Sequence, residues 1–371
     1  MATPHGSIPG ADRQRTAALP ARRSRHRYVV ALIQLIGCID DRKILERLEK
    51  YHWTGRPGHP QRPIFRAYLV GYALATPSTM AIIGRLRENP ALATSCGFTA
   101  ALPSRWTFNR FFKRLATHPE LLTECIAALV RLLKKVLPEL GTALAVDSTT
   151  VNTNSNPNKR RVSDPDASWT ATTSKSKPGA KEWVFGYKLH ILTDTKYEIP
   201  IGVRFTTANS ADSLNIVPLL HSARETFDWF SPKVVTADKG YDALHVYKAV
   251  IDDFGATPII PLRSLRPGAT KRRPNTGQRT DGPLSRDSTE WRRLYRLRTA
   301  AERVNSRLKS CRRLERHHFR GLSKIQAHAL LAVIVSVAIA TCHAVNGETL
   351  AVRSTAVAFV GRGLDLKAKR Q

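Results

Sequence analysis

Two aspartates stand directly after short apolar segments of the sequence. Asp147 follows 143–146 and Asp238 follows 233–237, and both segments are typical of β-strands. In an open α/β sheet, ligands gather at the carboxyl ends of the strands, so the two carboxylates can converge on one site. Each aspartate has an ordinary alternative as a turn residue or a helix cap, a position that Asp often takes.

A third carboxylate, Glu302, lies on a helix predicted over residues 288–315. At about 100° per residue, an arc of roughly 60° beside the apolar face of this helix is shared by Tyr295, Arg298, Glu302 and Lys309. The alternative is an ion-pair ladder on the surface, because Arg298 and Glu302 form an i,i+4 pair.

Three carboxylates among cations suit divalent metal ions that act on phosphate. Mg²⁺ takes oxygen ligands, and two such ions can clamp the attacking and leaving oxygens of an in-line displacement. We therefore expect two Mg²⁺ ions, with Mn²⁺ as a substitute, held by Asp147, Asp238 and Glu302, with Asp147 bridging the ions. The residues expected to bind the nucleic-acid backbone are Tyr295, Arg298 and Lys309. Zinc is disfavoured because the 12 His residues show no H-E-x-x-H spacing.

The charge of the chain indicates a polyanionic partner. The 59 Lys and Arg residues against 29 Asp and Glu give a formal net charge of +30. Residues 263–320 alone carry 18 Lys and Arg against 5 Asp and Glu. Nucleic acid is the first candidate and an anionic membrane surface the second.

Cysteine usage and apolar segments favour a cytoplasmic protein without a membrane anchor. The 5 Cys residues contain no C-x-x-C, which argues against a disulfide framework. The apolar segment 327–345 has an uninterrupted core far shorter than the ~20 residues of a spanning helix, so we expect a buried helix. Residues 22–38 imitate an export signal, but we interpret them as the first helix of a soluble domain. The sequence predicts no small-molecule cofactor.

The sequence divides into four regions. Residues 1–27 predict a flexible basic arm. Residues 28–138 carry apolar side chains at three- and four-residue spacing, which predicts an all-α domain for DNA binding and assembly. Residues 139–345 predict a catalytic α/β domain with a mixed sheet flanked by helices. Its basic loop covers 263–286, and 346–371 form a basic tail.

Two finer predictions concern regions near the acids. The polar stretch 148–182 is predicted to be irregular, and strands are predicted at 184–192 and 199–206. In the helical region, the spacing over 107–137 predicts one long helical stretch.

Three segments resemble the acidic motifs of bacterial insertion-sequence transposases of the DDE superfamily. They are Val146-Asp147-Ser148-Thr149, Ala237-Asp238-Lys239-Gly240-Tyr241 and Tyr295-x2-Arg298-x3-Glu302-x6-Lys309. The last is the complete Y-x2-R-x3-E-x6-K signature. Weaker likenesses are Asp164-Pro165-Asp166-Ala167, Phe185-Gly186-Tyr187-Lys188-Leu189-His190, Gly55-Arg56-Pro57-Gly58 and Asn89-Pro90.

The resemblance covers about residues 40–345. It implies a ribonuclease-H-like catalytic domain, two Mg²⁺ ions, terminal inverted repeats of double-stranded DNA as substrate, and at least a homodimer on paired ends. One departure is the short interval between Asp238 and Glu302, where better-known relatives insert a β-rich subdomain with a Trp that receives a flipped base. Trp291 or Trp169 could take that part, and packing is the ordinary alternative for each.

We therefore expect a nucleoid-associated DNA transposase that cleaves phosphodiester bonds by two-metal hydrolysis and joins the 3′-hydroxyl ends to target DNA. Two alternatives stay open at this point. One is a metal-dependent nuclease or resolvase without strand transfer. The other is a catalytically inactive, domesticated DNA-binding protein.

Overall fold

The computed structural model of the chain describes residues 22–50, 58–173, 180–263 and 282–357. Large parts of three predicted regions lie outside these ranges: residues 1–21 of the arm, 264–281 of the basic loop and 358–371 of the tail. The likeness at Gly55-Arg56-Pro57-Gly58 lies outside them as well, except for its last residue.

Seven helices precede the first strand in the described part of the chain. They are α1 (Arg22–Cys38), α2 (Arg42–Glu49), α3 (Gln61–Ala73), α4 (Thr79–Glu88), α5 (Pro90–Cys96), α6 (Arg105–Leu115) and α7 (Pro119–Val136). Side-chain caps begin three of them, because Ser78 accepts from Ala81 N, Asn89 accepts from Leu92 N and Ser104 accepts from Thr107 N. The single helical stretch predicted over 107–137 is wrong, since Pro119 starts a new helix at its first position.

The later chain forms a six-stranded sheet. Its strands are β1 (Ala143–Asn152), β2 (Ser168–Thr173), β3 (Lys181–Asp194), β4 (Pro200–Thr207), β5 (Val234–Ala237) and β6 (Thr257–Ile259). The order is β2-β3-β1-β5-β6, with β4 also paired to β3. β3 is antiparallel to β1, β2 and β4, whereas β1, β5 and β6 run parallel. The prediction of a mixed sheet preceded by an all-α region is confirmed.

The predicted irregular stretch 148–182 is wrong at both of its ends. β1 continues to Asn152 opposite Gly186, and β2 pairs with the first half of β3. Apolar alternation is weak in this stretch because these strands reach beyond the core and carry mainly Thr, Ser and Asn. Thr is a good strand former without being a hydrophobic marker.

Five helices complete the described fold: α8 (Ser213–Thr226), α9 (Leu244–Lys248), α10 (Thr289–Tyr295), α11 (Thr299–Cys311) and α12 (Leu322–Val345). α11 packs against β1 and β3, and α8 packs against β3 and β4. Asp147 and Ser148 are successive residues of β1, so their side chains lie on opposite faces of the sheet. Asp147 bonds to α11 on one face, and Ser148 bonds to Asp212 at the start of α8 on the other.

The long helix predicted over 288–315 is interrupted and ends early. A 3₁₀ turn at Arg296–Arg298 separates α10 from α11, and α11 ends at Cys311. Residues three apart eclipse each other in a 3₁₀ turn, so the angles of one continuous helix do not hold across this point.

α12 is the central helix of the molecule. It is long and apolar enough to cross a membrane, with a mean hydropathy of 2.1, yet 89% of its apolar window is buried inside the chain. It packs against α7, α1 and α3 of the amino-terminal helices as well as against α11 and β4. The hydrophobic core is therefore continuous between the helical region and the sheet.

Candidate active site

The parallel pairing of β1 and β5 sets two aspartates side by side. Val146 lies opposite Ala237, so Asp147 and Asp238 are the next residues on neighbouring strands. Asp238 also caps the short 3₁₀ turn that follows it, because its Oδ1 accepts from Gly240 N at 2.7 Å. The cap and the site are compatible, since a carboxylate has several acceptor positions.

The environment of Asp147 disfavours its charged form. Burial raises the pKa of Asp147 to about 6, and the negative charge of Asp238 acts in the same direction. Hydrogen bonds from the Ser148 backbone and from Asn305, together with the charge of Arg298, oppose this rise in pKa without cancelling it. A cation placed beside Asp147 would therefore be stabilised strongly.

Asn305 ties helix α11 to this strand. Its Nδ2 donates to Asp147 Oδ2 at 2.9 Å, while its own Oδ1 is buried without a partner in the described part of the chain. The sequence analysis missed this residue. The signal was available, because Asn305 lies three residues after Glu302 and so on a neighbouring part of the same helical surface.

Glu302 and Arg298 form the expected i,i+4 ion pair. Arg298 Nη1 lies 2.7 Å from Glu302 Oε1, and the guanidinium also packs 5.4 Å from the ring centroid of Tyr295. Tyr295 in turn stacks on Trp291 at 5.1 Å. The aromatic pair and the arginine thus form one packed unit at the junction of α10 and α11.

A cleft of about 590 Å³ opens beside these residues, and its lining includes Asp147, Glu302, Asn305 and Lys309. Asp238 is not part of that lining. Lys309 Nζ lies 2.5 Å from Glu315, so it is paired within the cleft. No group of three or more His, Cys, Asp or Glu side chains close enough to hold a metal ion occurs in the described ranges. The structure therefore joins Asp147 to Asp238 by strand register and to Glu302 through a shared cleft.

A second polar cluster lies on the opposite face of the sheet. Asp212 accepts from Ser148 Oγ at 2.8 Å and from Lys188 Nζ at 3.1 Å. Burial raises the pKa of Tyr241 well above 10, and the negative charges of Asp212, Asp147 and Asp238 act in the same direction. Tyr241 therefore stays a neutral phenol near the carboxylates of Asp147, within β1, and Asp238, just after β5.

The sequence matches two family models that agree with this geometry. A model described as a transposase DDE domain matches residues 138–338, which is more than half of the chain. The chain belongs to the family of transposases with a DDE domain. A model described as a transposase domain (DUF772) matches residues 22–114, the region of helices α1 to α6. No curated protein matches the sequence at a significant level.

One solved structure is similar to this DDE-domain transposase at low identity. It is a cryo-EM structure of a piggyBac transposase synaptic complex with hairpin DNA, 13% identical, with a TM-score of 0.43, covering 91% of this chain and 81% of that chain. At this TM-score the two structures share too little for one to inform the details of the other.

The two tryptophans considered for a base-receiving role differ in this transposase. Trp291 is buried and stacked on Tyr295, which is a packing role. Trp169 on β2 is 46% exposed and contacts Phe185 at 5.2 Å between ring centroids. Of the two, only Trp169 presents a free ring surface to a partner.

Proposed function

We propose that the chain is the transposase of an insertion sequence that binds terminal inverted repeats, hydrolyses a phosphodiester at each end and joins the freed 3′-hydroxyl to target DNA. Both steps are in-line displacements at phosphorus, which one site can perform in succession. The observation that carries the proposal is the register of β1 and β5, which aligns Asp147 with Asp238 beneath a helix that bears Glu302.

The donor set fits a hard divalent cation. The three carboxylates offer only oxygen, the ligand type that Mg²⁺ and Mn²⁺ prefer. The raised pKa of Asp147 and the unpartnered Oδ1 of Asn305 both favour the binding of a cation beside these two side chains. Asp147, Asp238 and Glu302 would hold two Mg²⁺ ions, or Mn²⁺ in their place, and the bound ions would stabilise charge on the attacking and leaving oxygens.

The ion pair of Glu302 is no obstacle to this role. The Glu302 side chain is 48% exposed and that of Arg298 21% exposed. An ion pair this open is worth only about 0–1 kcal/mol, so Glu302 can exchange its partner at little cost. Arg298 would then be available to a phosphate oxygen, with its position fixed by the ring of Tyr295.

The groups that would hold DNA lie on or next to helix α11. Lys309 lines the cleft together with Glu302 and Asp147. Tyr295 and Arg298 lie just before α11, outside that lining. We assign Tyr295, Arg298 and Lys309 to the DNA backbone, because cations and a phenol bind phosphate oxygens without reading sequence. We also propose that two copies act together on paired ends in the bacterial nucleoid, so that each copy cleaves one end.

Incubation of the full chain with Mg²⁺ and DNA that carries the native ends tests the proposal. The parent is expected to release the ends and give joined products, whereas Glu302→Gln should lose cleavage at least about 100-fold and keep end binding. Glu225→Gln, on the exposed surface of α8, is the matched control and should cleave normally.

Other outcomes separate the alternatives. Free ends without joined products would favour a nuclease or resolvase, and a Glu302→Gln chain that cleaves at the parental rate would refute the assignment. Binding without cleavage by the parent would identify an inactive DNA-binding protein. Imperfect inverted repeats that flank the reading frame, bounded by a short direct duplication, would support the transposase independently.

A further inference from the structure

A second cavity lies between the amino-terminal helices and the segment that follows α11. Its volume is about 570 Å³. The polar side chains on its wall include Ser78, Thr79, Arg105, Asn109, Arg313 and Arg316. We call it the basic cavity, because no Asp or Glu is among the described residues that line it.

The arginines of the basic cavity have their charge available. Arg298, just before α11, and Arg303 and Arg307 on α11 are each paired with a glutamate. In contrast, no described acid pairs with Arg105, Arg313 or Arg316. Three unpaired guanidinium groups around one concave surface repel each other, and an anion would relieve that repulsion.

Uncharged groups that can form hydrogen bonds also line the basic cavity. Burial lowers the pKa of His317 to about 4, so at neutral pH this imidazole adds no charge to the wall. The start of α4 also faces the cavity. Ser78 caps the N–H of Ala81, which leaves the first amides of the helix, at Thr79 and Met80, as donors at its positive end. The first turn of α4 contains no acid.

The basic cavity adjoins the candidate active site. Arg313 and Arg316 line both the cleft of Asp147 and Glu302 and the basic cavity. A strand that left the cleft past these two arginines would meet the basic cavity. Guanidinium groups bind phosphate through paired N–H donors, which suits the backbone of a strand that carries a phosphate on every nucleotide.

We propose that the basic cavity binds a backbone phosphate of the DNA that flanks the scissile bond, so that the helical region and the catalytic region hold the same strand. This inference rests on the proposed function, since it takes DNA to be what occupies the cleft. It assigns Arg105 and Arg316 as phosphate-binding residues and makes the helical region part of the substrate track.

The salt dependence of DNA binding tests the inference. A fluorescein-labelled 30-base-pair duplex of arbitrary sequence is titrated with the full chain in EDTA at NaCl concentrations from about 50 to 300 mM. The Arg105→Ala/Arg316→Ala chain is expected to lower the slope of log K against log salt by about 0.9 for each phosphate that it no longer neutralises. The Arg105→Lys/Arg316→Lys chain keeps both charges and should retain most of the slope.

The matched control is Arg47→Ala/Arg87→Ala, which removes two exposed helical arginines outside the cavity. Its slope should stay at the parental value. Equal slopes for the cavity variant and the parent, or an equal fall in the control, would overturn the inference. Since the assay contains no metal, its result does not depend on cleavage, and the inference can be tested even if the catalytic assignment fails.

A cross-linking measurement locates the bound DNA. Met80 lines the basic cavity and is 55% exposed, so replacing it by the photoreactive p-benzoylphenylalanine should give a protein–DNA cross-link on irradiation. The same replacement at Leu350, which is 98% exposed and outside the cavity, is the control. Cross-linking at Leu350 and none at position 80 would place the DNA elsewhere and overturn the inference.

Discussion

Asn305 is the side chain through which helix α11 controls the charge of Asp147. Its Nδ2 bond favours the carboxylate, so Asn305→Ala should raise the pKa of Asp147 further and cost about 1–3 kcal/mol of stability by leaving a buried oxygen unpaired. The acid limb of the pH profile of DNA cleavage should then move to higher pH. Ser306→Ala, an exposed neighbour in the same cleft, should leave the profile unchanged. A merely structural role for Asn305 would lower stability without moving the profile.

The charge of Asp147 should cost folding stability. Its pKa is about 6 in the folded chain against 3.8 for the ordinary group, so the penalty grows as pH rises from about 4 to about 6 and is complete above that. Without metal, Asp147→Asn should therefore increase the free energy of unfolding at pH 7.5 by up to about 3 kcal/mol. The gain should be smaller at pH 4.5.

Urea unfolding in EDTA at the two pH values measures this effect, with the exposed Asp228→Asn as control. A loss of stability in Asp147→Asn at pH 7.5 would contradict it. Active-site groups commonly show this conflict between folding and function.

The sequence identified the three acids as candidates by their type and spacing, although Asp147 lies within β1 and not at its end. The pKa of Asp147 could not be predicted from the sequence, because it depends on which side chains cover it.

Strand β3 pairs with three other strands of the sheet, and the backbone of β1 lies close to it at Gly186. A Cβ at this position would overlap the backbone oxygen of Val151 on β1, which cannot move aside as a side chain could. Gly186→Ala should thus destabilise the chain by about 1–3 kcal/mol and weaken the β1–β3 pairing.

Gly84 in α4 is the control, because its replacement by Ala is expected to raise the stability of the chain. Nothing lies within 4 Å of a Cβ built there, so Gly84→Ala should stabilise the chain by about 0.5–1 kcal/mol. Thermal unfolding of both variants measures the pair. Equal melting temperatures for Gly186→Ala and the parent would show that the two strands are less closely packed than described.

At the scale of elements, apolar periodicity in the sequence predicted the helices and strands that pack in the hydrophobic core. It missed the polar elements outside the core. The buried strand β5 and the amphipathic helices were predicted because they carry apolar patterns. β2 and the first residues of β3 were missed because they are polar. The break between α10 and α11 was missed because each side of a 3₁₀ turn keeps helix-like spacing.

The whole molecule should lose stability in mild acid. His328 and His190 are buried, and burial lowers the pKa of His328 to about 3 and that of His190 to about 4. Both are neutral in the folded chain and take up protons on unfolding below about pH 6.5, so their contribution is complete above that pH and is lost as pH falls towards 4. His328 alone contributes up to about 5 kcal/mol.

Urea unfolding between pH 7 and pH 4 checks this expectation. The midpoint should fall steadily in the parent, and an exposed control, His318→Gln, should follow the same course. Tyr72 donates to or accepts from His328 Nδ1 at 2.6 Å, so Tyr72→Phe should lower stability at every pH. A midpoint independent of pH would show that these imidazoles are accessible to protons in the folded chain.

The position of α12 has a consequence for how the chain comes to be folded during synthesis. Helices α1, α3 and α7 pack against α12 and are all made before it. Until the ribosome has released residues up to 345, their apolar faces lack their central partner and stay exposed to water or to chaperones. A message broken before α12 would yield a chain without the helix against which both the helical region and the sheet pack.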